Sequence, residues 1–134
     1  MLKILRINLG SEKVKEELVE KGSKYEQVAG KALISSIILN EIPAKDSSLS
    51  PSNKYIISCV YLSGTAVPNS GKISIGGKSP LTGGVKESNV GGRAPWFIAR
   101  MGLRAVVVED VAKEWKILVL EDGAARLDPA IEVV

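Results

Sequence analysis

The stretch Leu62–Gly102, LSGTAVPNSGKISIGGKSPLTGGVKESNVGGRAPWFIARMG, holds most of the chain's 13 glycines and decides the reading of the fold. It contains a loose internal echo. Leu62-Ser63-Gly64 is followed after four residues by Asn69-Ser70-Gly71-Lys72. Leu81-Thr82-Gly83 is followed after four residues by Ser88-Asn89, and then by Gly91-Gly92-Arg93. Each half comes after a strand-like segment, which predicts two strand–loop units side by side. Such an arrangement would present backbone amides, hydroxyls and lysines on one edge, a surface suited to an anionic, phosphate-bearing ligand. On composition alone the plainer reading has the stronger claim: glycines with Ser-Pro or Asn-Ser pairs that merely make turns.

Working outward, Lys54–Tyr61 is the strongest strand candidate, rich in β-branched residues. Its near-continuous hydrophobicity predicts burial on both faces. Lys72–Ile75 alternates as a short strand. Pro95 opens a helix that runs to Met101 and stops at Gly102. Ala105–Glu109 reads as another buried strand. Lys116–Leu120 and Ala124–Leu127 read as a hairpin around Glu121-Asp122-Gly123, since Asp-Gly is a strong turn signal. Upstream, residues 3–9 read as a strand and Gly10-Ser11 as a turn. Val14–Val19 fits either a strand or a helix start. Ser23 with Glu26 three residues later has the form of a capping box, and apolar residues at helical spacing then predict a helix over 24–41, stopped by Pro43. Residues 44–53 form a polar loop. The sum is one domain over 1–134, of α+β class, with mixed or antiparallel sheet and two helices.

Composition bounds the function. The chain has 134 residues, 45% apolar and 25% charged, which is globular. Its net charge of +3 comes with no basic run and no aromatic platform, which argues against nucleic acid as a partner. No apolar run approaches the roughly 20 residues of a membrane span. The opening MLKILRINLG is too short and strand-like for a signal peptide, so a cytoplasmic location is expected. There is no His, which removes the commonest general base and any Ser-His triad. A single cysteine, Cys59, allows no intrachain disulfide and no cysteine-held cluster. It reads as a buried structural thiol inside Tyr55–Val60. No pair of carboxylates is placed for acid–base work, and no catalytic residue is assigned.

The candidate binding groups are lysines beside glycines, namely Lys31, Lys72 and Lys78, each able to meet a phosphate as a point charge. Asn89, just before Gly91-Gly92, is able to turn a polar group inward. Arg93, Arg100 and Arg104 bracket the second helix, and Arg100 suits the helix dipole there.

Lys78-Ser79-Pro80-Leu81-Thr82-Gly83, Ser88-Asn89, Gly91-Gly92 and Gly102 together resemble the N-terminal domain of the tungsten-containing aldehyde:ferredoxin oxidoreductases. Ile4–Leu9 resembles that family's opening strand, Val28–Leu33 its first-helix motif, and Leu49–Lys54 the lead into its next strand. The resemblance implies a base for a tungsten- or molybdenum-bearing bis-pterin cofactor with magnesium. It implies cofactor contacts from Lys31, Lys72, Lys78, Ser79, Thr82, Gly83, Asn89, Gly91 and Gly92, with the Asn89 main-chain carbonyl as a magnesium ligand. The family has arginine at the positions of Lys31 and Lys72; lysine keeps the charge and loses the bidentate hydrogen bond. The family's activity is aldehyde to carboxylate, with ferredoxin as partner of the complete enzyme, and its iron–sulfur cysteines lie in later domains. No iron–sulfur cluster is therefore expected on this chain, and no activity from it alone. The expectation is a cofactor-binding subunit or fragment completed by a separate chain carrying the remaining domains, and, since unpaired strand edges invite association, a homo-oligomer or an obligate partner. The alternatives are a stand-alone phosphate- or pterin-binding module, and a non-catalytic oligomerising structural domain.

Overall fold

A computed structural model describes residues 2–131. The elements run in order β1 (Lys3–Asn8), β2 (Lys13–Leu18), α1 (Gly30–Glu41), β3 (Lys54–Cys59), β4 (Lys72–Lys78), β5 (Val85–Gly91), α2 (Arg93–Arg100), β6 (Leu103–Glu109), β7 (Lys116–Glu121) and β8 (Ala124–Pro129). The first six strands to pair form one mixed sheet in the order β2-β1-β6-β3-β4-β5. All its pairs are antiparallel except β1 with β6. The β7–β8 hairpin stands apart as a second, two-stranded sheet. The α+β class read from the sequence, with mixed sheet and two helices, is the architecture observed.

Alternation along the strands sends side chains to two faces. On one face α1 packs across β3 and β4 and reaches β5. Leu33, Ile34, Ile37 and Ile38 of the helix meet Ile4, Ile56, Ala105 and Val107 of the sheet. On the other face Leu5, Ile7, Leu103 and Val106 gather Leu118, Leu120 and Leu127 of the hairpin and Ile98 of α2. That second layer lies over β1 and β6. The expected burial of β3 on both faces therefore holds at Ile56, Ser58 and Cys59 but not at Tyr55, which is 53% exposed.

Three local expectations are corrected. The first helix begins at Gly30, not near residue 24. Gly30 has φ +55°, far from helical φ, so the helix cannot extend back through it. Its left-handed backbone also lets the chain approach the residue just after β3, where a Cβ would stand 3.0 Å from Val60 Cγ1. The Ser23–Glu26 pair makes a turn instead of a capping box. Glu26 N–H donates to the Ser23 carbonyl, the Glu26 carboxylate accepts from Gly22 N–H, and the Ser23 hydroxyl has no partner among the described residues. Thirdly, residues 85–91 are a strand, where the sequence suggested loop. The strand at Lys72 likewise runs on to Lys78. The hairpin at Asp122-Gly123 is as expected, with both turn residues at positive φ, and Gly102 closes α2 at φ +75°.

Candidate functional site

The two glycine-rich loops lie at opposite ends of the β4–β5 hairpin. Lys72 pairs with Gly91 at one end and Lys78 with Val85 at the other. Six strand steps separate the two lysines, about 20 Å along the strand. The structure thus divides the residues singled out in the sequence into two groups.

At the Lys72 end, a groove of about 530 Å³ is bounded by Asn69, Ser70, Gly71, Lys72, Gly91, Gly92, Arg93 and Trp96. Gly71 and Gly91-Gly92 run side by side: a Cβ on Gly71 would lie 3.3 Å from the Gly92 carbonyl. Gly92, at φ +98°, turns the chain from β5 into α2. It is the N-cap of α2, and no side chain caps that end. Lys72, Arg93 and the start of α2 therefore border one groove, a basic, glycine-lined surface complementary to a phosphate. Lys72 is held by its backbone. Ser63 Oγ accepts from Lys72 N–H at 3.1 Å and donates to the Lys72 carbonyl at 2.7 Å.

Asn89 and Lys31 belong to this end too. Ser74, two residues from Lys72 and so on the same face, donates its hydroxyl to Asn89 Oδ1 at 2.8 Å. A Cβ on Gly30 would lie 3.5 Å from that same Ser74 Oγ, which puts the start of α1, with exposed Lys31, beside them. The ladder decides where the Asn89 backbone points. Val60 N–H donates to the Lys72 carbonyl, so Lys72, Ser74 and Gly76 turn their backbone groups toward β3. Their partners on β5, among them Asn89 and Gly91, form the pairs that exchange no ladder bonds. β5 is an edge strand, so the Asn89 carbonyl faces outward, free for a hard cation.

Lys78, Ser79, Thr82 and Gly83 sit at the far end. Lys78 and Ser79 border a second groove of about 560 Å³, floored by Tyr55, Ile75 and Gly77. The Lys78 ammonium is committed to the carbonyls of Ala44 and Asp46, at 2.8 and 2.6 Å. Asn53 binds the Lys78 backbone on both sides, accepting its N–H and donating to its carbonyl. Ser79 is buried, and its hydroxyl accepts the N–H groups of Leu81 and Thr82. Gly83 takes φ +72° and donates to the Ser79 carbonyl. These groups build the hairpin loop.

Arg93 and Trp96 were not among the residues the sequence pointed to as a site. Arg93 directly follows the glycine pair at a helix start, and that position was the available signal. Its guanidinium lies 5.5 Å from the Phe97 ring centre, and Arg100 lies 5.1 Å from that of Trp96. Cys59 is buried as expected, and burial pushes its thiol up to about 11 despite the charge of Arg104. Among the described residues no three His, Cys, Asp or Glu side chains gather to hold a metal, and no helix is long and apolar enough to cross a membrane.

Residues 4–134 match the family model described as aldehyde ferredoxin oxidoreductase, N-terminal domain. The chain belongs to this family. It is 30% identical over 131 residues to the tungsten-containing aldehyde ferredoxin oxidoreductases of Pyrococcus furiosus and Pyrococcus horikoshii, covering 98% of this chain and 22% of each relative. The enzyme of the same name from Thermococcus kodakarensis is 30% identical over 128 residues, 96% of this chain and 21% of the relative. The chain thus spans about a fifth of the curated relatives it matches. The active site complex BamBC of benzoyl coenzyme A reductase, solved with 1,5-dienoyl-CoA, superposes with a TM-score of 0.91 at 17% identity, over 98% of this chain and 20% of that one. That likeness is one of fold.

Proposed function

We propose that this domain holds the phosphate end of a tungsten- or molybdenum-bearing pterin cofactor, as the cofactor base of an aldehyde ferredoxin oxidoreductase-like enzyme. The observation that carries the proposal is the Lys72 groove. It is lined by two basic residues, Lys72 and Arg93, and by the glycines Gly71, Gly91 and Gly92, and it adjoins the start of α2, which no side chain caps. The groove fits the phosphate group by its charge and by the close approach its glycines allow. Lys72 and Arg93 would hold phosphate oxygens, and Gly91-Gly92 would let the backbone approach them. Lys31 would add charge from the start of α1. The outward carbonyl of Asn89 would hold a magnesium ion as a hard oxygen ligand. Lys78, Ser79, Thr82 and Gly83 would act by shaping and anchoring the hairpin that carries Asn89, since their polar groups are already bonded, Lys78 to the 44–53 loop and Ser79 and Thr82 within the hairpin. The bound cofactor would supply the metal centre at which an aldehyde is oxidised to a carboxylate. This chain's residues would orient and anchor it.

The rest of the enzyme, with its iron–sulfur cysteines and its ferredoxin contact, would come from sequence outside these 134 residues, with homo-oligomerisation as a further proposal. A cytoplasmic location accords with this reading. Tungsten, molybdenum and pterin analysis of the protein purified from its native host, together with whatever co-purifies, tests it. Stoichiometric pterin that is lost in Lys72→Ala and Arg93→Ala variants is the expected result. Pterin-free protein from metal-replete cells, or full retention in both variants, would overturn the assignment.

A further inference from the structure

Arg104 stands in β6 between Leu103 and Ala105, and it is only 7% exposed. Among the described residues no carboxylate pairs with it, and its Nε–H has no acceptor. The buried-side cations elsewhere are matched. Arg6 meets Glu17, Glu41 and Glu109, and Lys54 meets Glu41 and Glu109. The Tyr61 ring lies over the Arg104 guanidinium, 4.5 Å from carbon to ring centre. A ring face attracts the cation but leaves its in-plane N–H donors unsatisfied. A guanidinium stays charged in a protein, and a buried charge is costly unless it is paired.

A cavity of about 60 Å³ adjoins this side chain, walled by Arg104, Cys59, Tyr61, Ser63, Ala99 and Leu103. None of these walls carries negative charge. The Cys59 thiol is held neutral by burial, which pushes it up to about 11. The Ser63 hydroxyl is already engaged with the Lys72 backbone. A cavity that takes benzene measures about 150 Å³, so this one suits an occupant of a few atoms.

We infer that this cavity is a binding site for one small monovalent anion, of the class of chloride, nitrate or formate, held by Arg104 under the ring of Tyr61. The site is separate from the Lys72 groove and does not depend on the function proposed for that groove. Ser63 stands between the two: it walls the cavity with one side and fastens the Lys72 backbone with the other. An anion beside Arg104 thus sits behind the strand end that presents Lys72.

Chloride-35 NMR linewidths of the unmodified chain test this directly, with formate and nitrate as competitors. A saturable broadening is expected, displaced by both competitors and weakened at least tenfold in Arg104→Met. It should survive in Lys72→Ala, which alters only the groove. The absence of saturable broadening, or its persistence in Arg104→Met, would overturn the inference. Should Arg104→Met fail to fold, crystals of the unmodified protein in bromide decide the matter. An anomalous peak within hydrogen-bonding reach of the Arg104 guanidinium supports the site, and a cavity holding only water overturns it.

Discussion

Gly30 shows how much one residue settles. Its φ of +55° starts α1 there, its N–H donates to Ser58 Oγ at 2.9 Å, and its missing side chain admits Val60. An alanine would carry left-handed strain and press a methyl on Val60, so Gly30→Ala should cost about 1–3 kcal/mol in urea or thermal unfolding. Unchanged stability would show that neither strain nor close approach matters. Lys72 and Lys78 invite a paired test, because the sequence placed them on one edge and the strand holds them apart. Lys72→Ala should weaken pyrophosphate binding by about 1.5–3 kcal/mol in calorimetry, the range for hydrogen bonds to charged groups. Lys78→Ala should leave that binding unchanged and instead lower stability, by about 0.5–1.5 kcal/mol for each of its two carbonyl bonds at most. Equal effects on binding would refute the division into two ends. At this scale the sequence was legible where chemistry and local spacing coincide. Lys72 with Gly91-Gly92 is such a place, since both loops return to the same strand end. Arg104 was not legible, because no local pattern marks a cation that tertiary packing will bury.

Elements were legible where burial imposes an apolar run or where a turn or cap residue marks their ends. β3, β6 and the second helix announce themselves by apolar runs and by Pro95 and Gly102. β5, VKESNVG, does not, because it is an edge strand with neither face deep in the core, so no alternation is imposed on it. The parallel pairing of β1 with β6 is a contact between chain segments some hundred residues apart, which no local signal reports. The first helix was over-extended because Tyr25 and Val28 continue the helical spacing. They pack against the same core from the turn and loop that precede α1, and Tyr25 O–H reaches Glu41 at 2.6 Å. The β7–β8 hairpin was readable from Asp122-Gly123 and is testable there. Gly123 has φ +77°, and a Cβ on it would stand 2.9 Å from the Met101 carbonyl. Gly123→Ala should therefore cost about 1–3 kcal/mol. Hydrogen exchange should accelerate in β7 and β8 before the main sheet. Uniform acceleration across both sheets would instead mean that the hairpin and sheet open as one unit.

For the whole molecule, one charged network closes the face that α1 covers. Arg6 of β1 binds Glu41 at the end of α1 through both terminal nitrogens, each at 2.8 Å, and Glu17 of β2 through Nε at 2.6 Å. Its contact with Glu109 of β6 is longer, 3.2 Å, while Lys54 of β3 reaches Glu109 at 2.6 Å. Four strands and a helix meet in these side chains. Burial by itself would raise the Glu41 carboxyl, but hydrogen bonds from Arg6 and Tyr25 and the charges of Arg6 and Lys54 outweigh it and hold Glu41 below 4.5. Burial and the bond to Glu41 both push the Tyr25 hydroxyl upward from 10.0. The signs follow from proton linkage. A carboxyl depressed in the fold contributes stability that is complete above the unfolded value of 4.5 and is lost as pH falls through the folded one. A phenol raised in the fold contributes stability that is complete below 10.0 and is lost as pH climbs above it. Stability should therefore be flat between about pH 5 and 9 with respect to this network, and fall on both sides. Glu41→Gln should remove this network's share of the acid-side slope. It should also cost about 1–3 kcal/mol at pH 7, since the pair is half-buried and Arg6 keeps Glu17 and Glu109. Tyr25→Phe should flatten the alkaline side and leave the acid side sloping. Urea unfolding at pH 3, 7 and 10.5 on the three proteins separates these effects. An unchanged acid slope in Glu41→Gln would show that other carboxylates, not this network, govern the acid limit of the fold.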